Sequence, residues 1–182
     1  DHRDLHSFPT RALPISLKDP EEMVSEDLKK QYKSWLIKHL PWNLNDFNWA
    51  RTYIRQRNLR TGKVASTKQL VDDLKKEAAN GYDAIVIATD TDPSGEGELL
   101  AWEALEAIKW RGQVLRANFM DESVKGIQTS MQHLRDVSDK NQDGEYIKGE
   151  SRNRWDFASM QLTRIATTAA RSEERRVGKE CR

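Results

Sequence analysis

The stretch AIVIATDTDPSGEGELLAWEALEAI, residues 84–108, decides the fold. It opens with a short apolar run that stops at acidic residues and glycines, a pattern typical of a buried strand followed by a turn. The apolar residues after the turn have helical spacing and predict a helix: Leu100, Ala104, Leu105 and Ile108. Four carboxylates therefore lie between the end of a strand and the start of a helix: Asp90, Asp92, Glu96 and Glu98. In open α/β sheets, ligands bind at that edge.

The composition indicates a polar chain with a modest core. Of the 182 residues, 37% are hydrophobic and 32% are charged, and this length suffices for one ordinary domain and part of another. No apolar run approaches the roughly 20 residues that a membrane span needs, and the N-terminus has no signal-peptide pattern. The only cysteine is Cys181, so no disulfide framework is available. We therefore expect a cytoplasmic protein without a membrane partner.

The two ends of the chain suggest a fragment. The first residue is not Met, as if the chain began within a longer protein. Residues 171–182, RSEERRVGKECR, look like the conceptual translation of a sequencing-adapter oligonucleotide, and we expect this segment to be non-native. Leaving it out removes five basic and three acidic residues and moves the net charge from +1 to −1. The global charge then gives no support for nucleic-acid binding.

The order of the predicted elements favours an α/β fold. Helices are expected over residues 25–40, 67–79, 98–110, after Asp121, and over 150–170; strands are expected over 84–88 and 113–119; a linker or exposed loop is expected over 138–149. Alternation of helices and strands is typical of a parallel sheet with crossover connections.

Aromatic and basic residues alternate over residues 42–63. Such a mixture can bind single-stranded nucleic acid, because rings stack on bases and cations contact phosphates. The alternative is a solvated basic loop whose aromatic side chains pack inward. The sequence leaves both interpretations open.

The acidic turn has the chemistry of a metal site. Asp90 and Asp92 are two residues apart on extended chain, so their carboxylates point to one side. Two such carboxylates repel each other unless a cation, a proton or a larger separation relieves the repulsion. Oxygen ligands of this kind favour Mg²⁺, which commonly bridges to phosphate oxygens. Gly95 and Gly97 permit a close approach of a ligand to the backbone. The turn therefore predicts Mg²⁺ binding and phosphoryl chemistry on a nucleic acid or nucleotide.

The segment ATDTDPSGEGELLAWEAL resembles the acidic motif of the TOPRIM domain in type IA DNA topoisomerases, whose usual form is A-T-D-x-D-R-E-G-E. Three residues, PSG at 93–95, stand where the motif has one arginine. The resemblance implies Mg²⁺ as cofactor and three metal carboxylates: Asp90, Asp92 and Glu96.

Two later segments are similar to the same family. RANFMDESVKGIQTSMQHL, residues 116–134, matches the strand and helix that follow the acidic turn. ESRNRWDFASMQLTRIAT, residues 150–167, looks like the start of the next domain, which borders a groove for single-stranded DNA. The resemblance makes Arg152 and Arg164 candidate phosphate contacts, and the alternative is that they are surface cations of a helix.

The resemblance implies a TOPRIM-like, Rossmann-type parallel sheet flanked by helices, lacking its first strand and followed by the helical start of a second domain. The expected limits are 1–137 for the truncated TOPRIM domain, 138–170 for the linker and the beginning of the DNA-groove domain, and 171–182 for the tail. The family's first-strand glutamate and its nucleophilic tyrosine have no counterpart here. No catalytic residue is therefore assigned, and we expect the fragment to be inactive.

The implied activity belongs to the parent protein. Type IA enzymes change DNA topology by transient cleavage and resealing of one strand, without ATP, so the expected partner is DNA, chiefly single-stranded segments, and the expected state is a monomer. Two alternatives stay open. One is another TOPRIM enzyme, a primase or nuclease; the other is a non-catalytic α/β module that binds Mg²⁺ or phosphate.

Overall fold

The computed structural model describes residues 15–33, 36–57 and 64–180. The chain forms two compact units: one is built mainly from Thr52–Glu150, the other from Leu17–Arg51 and Ser151–Arg182. The strands of the described part are β1 (Ile15–Leu17), β2 (Arg51–Tyr53), β3 (Arg55–Arg57), β4 (Val64–Ser66), β5 (Ala84–Ile87), β6 (Gln113–Arg116) and β7 (Arg135–Asp136). The α-helices are α1 (Lys29–Lys33), α2 (Lys68–Ala78), α3 (Glu96–Ile108), α4 (Val124–Gln132) and α5 (Gly144–Glu180). The protein is thus mixed α/β, and the predicted fold class is confirmed at that level.

The main sheet of the first unit has the order β5-β6-β7. Strands β5 and β6 pair in parallel from Ala84 opposite Gln113 to Ile87 opposite Arg116, with α3 between them in sequence. The prediction of parallel pairing is confirmed for these two strands. Strand β7 runs antiparallel to β6, so the expectation of a wholly parallel sheet is wrong. The connection from β6 to β7, residues 117–134, includes α4.

Helix α3 supplies much of the core of the first unit. Leu99, Trp102, Leu105 and Ile108 recur at helical spacing and are all buried. The ring of Trp102 meets that of Tyr146, from the start of α5, edge to face at 6.2 Å. These side chains pack with buried residues of α2, β5 and β6: Val71, Ile87 and Val114. The strand–turn–helix expected from the sequence is therefore the centre of this unit.

The second unit is held by an aromatic cluster. Tyr32 lies 5.2 Å from Trp42 and 5.0 Å from Phe47, measured between ring centroids. Trp49 and Phe157 complete the cluster, with their rings 5.8 Å apart. Of the two interpretations of residues 42–63, inward packing is therefore correct for the aromatic side chains at 42, 47 and 49. Residues 58–63 lie outside the described part.

The predicted helix over residues 25–40 is wrong in most of its length. The α-helix covers only Lys29–Lys33, and Leu36 is extended and 46% exposed. Tyr32 provides the reason, because its hydroxyl donates to the Asp46 carboxylate at 2.6 Å and accepts from the Asn43 amide at 3.1 Å. These bonds fold the following chain back over the tyrosine, and such tertiary contacts override helical periodicity.

The later helices are closer to expectation. Helices α2 and α3 follow the predicted ranges within a few residues. Helix α4 begins after Ser123, whose hydroxyl accepts from the Gly126 amide at 3.1 Å, so Ser123 caps it. Helix α5 begins at Gly144, inside the predicted linker, and includes residues 171–180 of the expected tail. No described helix combines the length and the apolar character needed to cross a membrane.

Candidate functional site

The acidic turn, residues 88–95, connects β5 to α3 at the carboxyl end of the parallel pair. The Thr91 amide donates to the Phe119 carbonyl at 2.7 Å, which ties the turn to the chain leaving β6. Gly95 precedes α3 in the left-handed conformation, with φ of 72°. A glycine is required there, since other residues adopt this conformation at a cost. Asp90 and Asp92 therefore lie on the turn at this edge of the sheet, as predicted, whereas Glu96 and Glu98 lie in the first turn of α3.

Asp92 also stabilises the turn itself. One of its carboxylate oxygens accepts from the Ser94 amide at 2.8 Å, and the other accepts from the Ser94 hydroxyl. The same hydroxyl accepts from the Glu96 amide at 3.2 Å, at the start of α3. This relay satisfies one of the free amides of the helix N-terminus.

The three predicted metal ligands remain candidates. Asp90 is exposed, and Asp92 and Glu96 are half-buried, so all three can be reached from solvent. Their oxygens are the donors that Mg²⁺ prefers, and the chemistry of the set fits that ion. Within residues 15–33, 36–57 and 64–180, no three His, Cys, Asp or Glu side chains are already gathered as a metal-binding group. Metal binding at Asp90, Asp92 and Glu96 stays a prediction.

Arg116 and Glu98 form a buried ion pair behind the turn. Arg116 Nε lies 2.5 Å from Glu98 Oε2, and the two side chains are 1% and 0% exposed. The guanidinium also donates to four carbonyls, those of Ile87, Thr89, Asp90 and Ala117, at 3.3, 2.6, 3.3 and 2.9 Å. This pair was not predicted from the sequence. A usable signal was the strand period of two, which places Arg116 on the same face as buried Val114.

Further charges surround this pair. Asp143 is 2% exposed, and its Oδ1 accepts from both terminal nitrogens of Arg135 at 3.0 Å. Glu145 Oε2 lies 3.7 Å from the Arg116 guanidinium. Burial raises the pKa of Glu98 to about 7, Arg116 opposes this shift, and the nearby Asp143 and Glu145 carboxylates add to it. Glu98 therefore holds its proton far more firmly than an ordinary glutamate.

The first turns of α5 pack directly on the acidic turn. A Cβ atom on Gly149 would lie 2.4 Å from the Gly95 carbonyl oxygen, and one on Gly95 would lie 2.3 Å from the Glu145 carbonyl oxygen. The Lys148 ammonium donates to the Pro93 carbonyl at 2.8 Å. Glycines at these positions therefore permit contact between two backbones. A Cβ on Gly97 would likewise meet the Thr89 hydroxyl at 2.9 Å, within the protein.

Arg152 and Arg164 both lie on the part of α5 that belongs to the second unit. Arg152 is exposed and forms an ion pair with Asp156, Nε to Oδ2 at 3.6 Å. Arg164 is exposed on α5. Twelve residues of helix separate the two arginines by about 18 Å along the axis and about 120° around it. They can therefore contact separate phosphates, and they do not form one site.

No protein-family model matches the chain. The functional interpretation therefore depends on the motif, the turn and the charges described above.

Proposed function

We propose that the parent protein is a type IA DNA topoisomerase and that this chain carries the acidic turn of its TOPRIM domain. The observation that carries the proposal is the position of Asp90 and Asp92, on a turn at the carboxyl end of the parallel strands β5 and β6 and directly before α3. Ligands of open α/β sheets bind at this edge. In this proposal, residues 1–137 form the truncated TOPRIM domain, residues 138–170 form the linker and the beginning of the DNA-groove domain, and residues 171–182 are a non-native tail.

In this proposal Asp90, Asp92 and Glu96 hold Mg²⁺, which, when bound, offsets negative charge at the scissile phosphate. The hydroxyl oxygen of a tyrosine from a later domain bonds to the phosphorus atom and loses its proton, the bond to the 3′ oxygen breaks, and the departing oxygen takes up a proton. Reversal of these steps reseals the strand, so the exchange of one phosphodiester for another needs no ATP.

The proposed partner is single-stranded DNA, and the proposed parent is a cytoplasmic monomer. Arg152 and Arg164 are exposed cations on one helix and would contact phosphates at separate places along the strand. Arg152 would exchange its partner Asp156 for a phosphate, which is favourable because the existing ion pair is exposed and therefore weak.

One observation favours a second candidate, a non-catalytic module that binds Mg²⁺ or phosphate. Both oxygens of the Asp92 carboxylate already accept hydrogen bonds from Ser94. A carboxylate used in this way stabilises a turn, and such a turn can bind a ligand without any reaction.

The metal part of the proposal is tested by calorimetric titration of the whole chain with Mg²⁺. We expect saturable heat for the wild type and its loss in Asp90→Asn/Asp92→Asn. The control is Asp73→Asn, which removes an exposed carboxylate of α2 and should titrate like the wild type. Equal heats for the double variant and the wild type would refute the metal site.

The DNA part is tested by fluorescence anisotropy with a labelled single-stranded oligonucleotide over a range of salt concentrations. Each phosphate contact on a single strand contributes about 0.7 to the slope of log affinity against log salt. We expect Arg152→Ala and Arg164→Ala each to lower the slope by about that amount. Lys76→Ala, on α2, serves as the control for a lost exposed cation. Identical slopes for all four proteins would contradict the assignment of these two arginines.

A further inference from the structure

Arg116 is the last residue of β6, and its side chain is 1% exposed. A buried guanidinium has a large desolvation cost, and a protein retains it only where its donors are well paired. The ion pair with Glu98 provides the opposite charge. The remaining donors could have been satisfied by any nearby acceptor, so the identity of the acceptors is informative.

Three of its four acceptors are consecutive or nearly consecutive carbonyls on one short piece of chain. They belong to Ile87, Thr89 and Asp90, which are the end of β5 and the start of the acidic turn. The strongest of these bonds by distance is to the Thr89 carbonyl, at 2.6 Å. One side chain thus fixes the backbone that carries Asp90 and leads to Asp92.

Glu98 fixes the guanidinium from the other side of the turn. It lies in the first turn of α3, so the Arg116–Glu98 pair connects the end of β6 to the helix that follows the turn. The start of the acidic turn and the helix that follows the turn are therefore bound to the same buried side chain. An ordinary apolar residue at position 116 could fill the space, but it could not hold these carbonyls.

We propose that Arg116 is a positioning residue for the acidic turn, which holds the backbone of residues 87–90 so that the carboxylates of Asp90 and Asp92 keep a fixed separation. Insofar as those carboxylates bind Mg²⁺, the inference depends on the proposed function. A site whose ligands are held in place before binding does not have to spend binding energy on ordering them. A purely structural role would instead stabilise the whole unit without affecting the turn in particular.

Amide hydrogen exchange separates the two roles without any metal. The Thr91 amide, bonded to the Phe119 carbonyl, reports on the turn, and the Leu105 amide, within α3, reports on opening of the whole unit. The measured quantity is the ratio of the two exchange rates. Arg116→Met removes every donor, and Arg116→Lys keeps the charge while leaving one donor nitrogen in place of three.

We expect the ratio of Thr91 to Leu105 exchange to rise about tenfold or more in Arg116→Met, the effect of losing one or more hydrogen bonds from a charged donor. Arg116→Lys should give a smaller rise, and it keeps the test available if the Met variant does not fold. The control is Val71→Ala, which weakens the same core and should leave the ratio unchanged. An unchanged ratio in both Arg116 variants, or an equal rise in Val71→Ala, would overturn the proposal.

Calorimetric titration with Mg²⁺ then distinguishes this inference from the proposed function. We expect Mg²⁺ affinity to fall about tenfold in Arg116→Lys and to change less than about twofold in Val71→Ala, since the same hydrogen bonds hold the ligands. If the wild type binds Mg²⁺ and Arg116→Lys binds it equally well, the positioning role toward the metal is refuted. If the wild type itself gives no binding, the proposed metal function fails, and the exchange ratio alone decides the role of Arg116.

Discussion

Replacing Gly149 by alanine tests the contact between α5 and the acidic turn. The new Cβ atom would lie 2.4 Å from the Gly95 carbonyl oxygen and 3.0 Å from the Leu99 Cβ atom. The first obstacle is backbone, which cannot rotate away as a flexible side chain can. The helix or the turn must therefore move by about 1 Å to reach an ordinary van der Waals separation of about 3.5 Å.

The size of the effect follows from two opposing contributions. Overpacking of a well-packed site costs about 1–3 kcal/mol, and a clash with backbone places this site near the upper value. Alanine in a helix interior is more favourable than glycine by about 1 kcal/mol. The expected net loss in the free energy of unfolding is therefore about 2 kcal/mol.

Gly144→Ala is the matched control, because Gly144 lies at the start of the same helix and a Cβ there would meet nothing within 4 Å. Urea denaturation of the three proteins, followed by circular dichroism, gives the free energies. We expect the free energy of unfolding of Gly144→Ala to equal that of the wild type or to exceed it by up to about 1 kcal/mol. If Gly149→Ala is as stable as Gly144→Ala, the close backbone contact is refuted.

Three further predictions concern single side chains. Because the pKa of Glu98 is raised to about 7, the folded protein binds this proton more tightly than the unfolded chain does, and stability should fall as pH rises from about 4.5 to about 7. Glu98→Gln should remove up to about 3 kcal/mol of this pH-dependent change in the free energy of unfolding, measured by denaturation at several pH values. An unchanged pH dependence in Glu98→Gln would contradict the prediction. Tyr32→Phe, which loses the bond to Asp46, should cost about 1.5 kcal/mol in the same assay, whereas Tyr82→Phe, at an exposed ring, should cost little. Ser123→Ala should cost about 1 kcal/mol by removing the cap of α4, and no loss would refute the cap.

The central strand–turn–helix was predictable because its signals are local. The apolar run that forms β5, the left-handed Gly95 and the apolar spacing of α3 all lie within residues 84–108. The errors arose where distant residues decide the local structure. The bond from Tyr32 to Asp46 ends α1 early, and the packing of Tyr146 on Trp102 draws a polar segment into α5.

The candidate site was also predictable only in part. Spacing along the chain placed Asp90 and Asp92 on the turn, since both belong to one short segment. The charges behind the turn come from separate elements: Arg116 from β6, Glu98 from α3 and Asp143 from the segment before α5. Periodicity within one element does not predict which side chains of separate elements contact each other. The inward position of Arg116 in β6 could have indicated only that this arginine is buried.

The hydrogen bonds of the acidic turn also affect how readily a protease can cleave it. Polar surface turns are ordinarily preferred sites of cleavage, because their backbone can extend into a protease groove. Here the Thr91 amide, the Pro93 carbonyl and the Gly95 amide are each bonded within the protein. Extension of this turn would break all three bonds and separate it from α5. The acidic turn is thus a poor protease substrate while the unit stays folded.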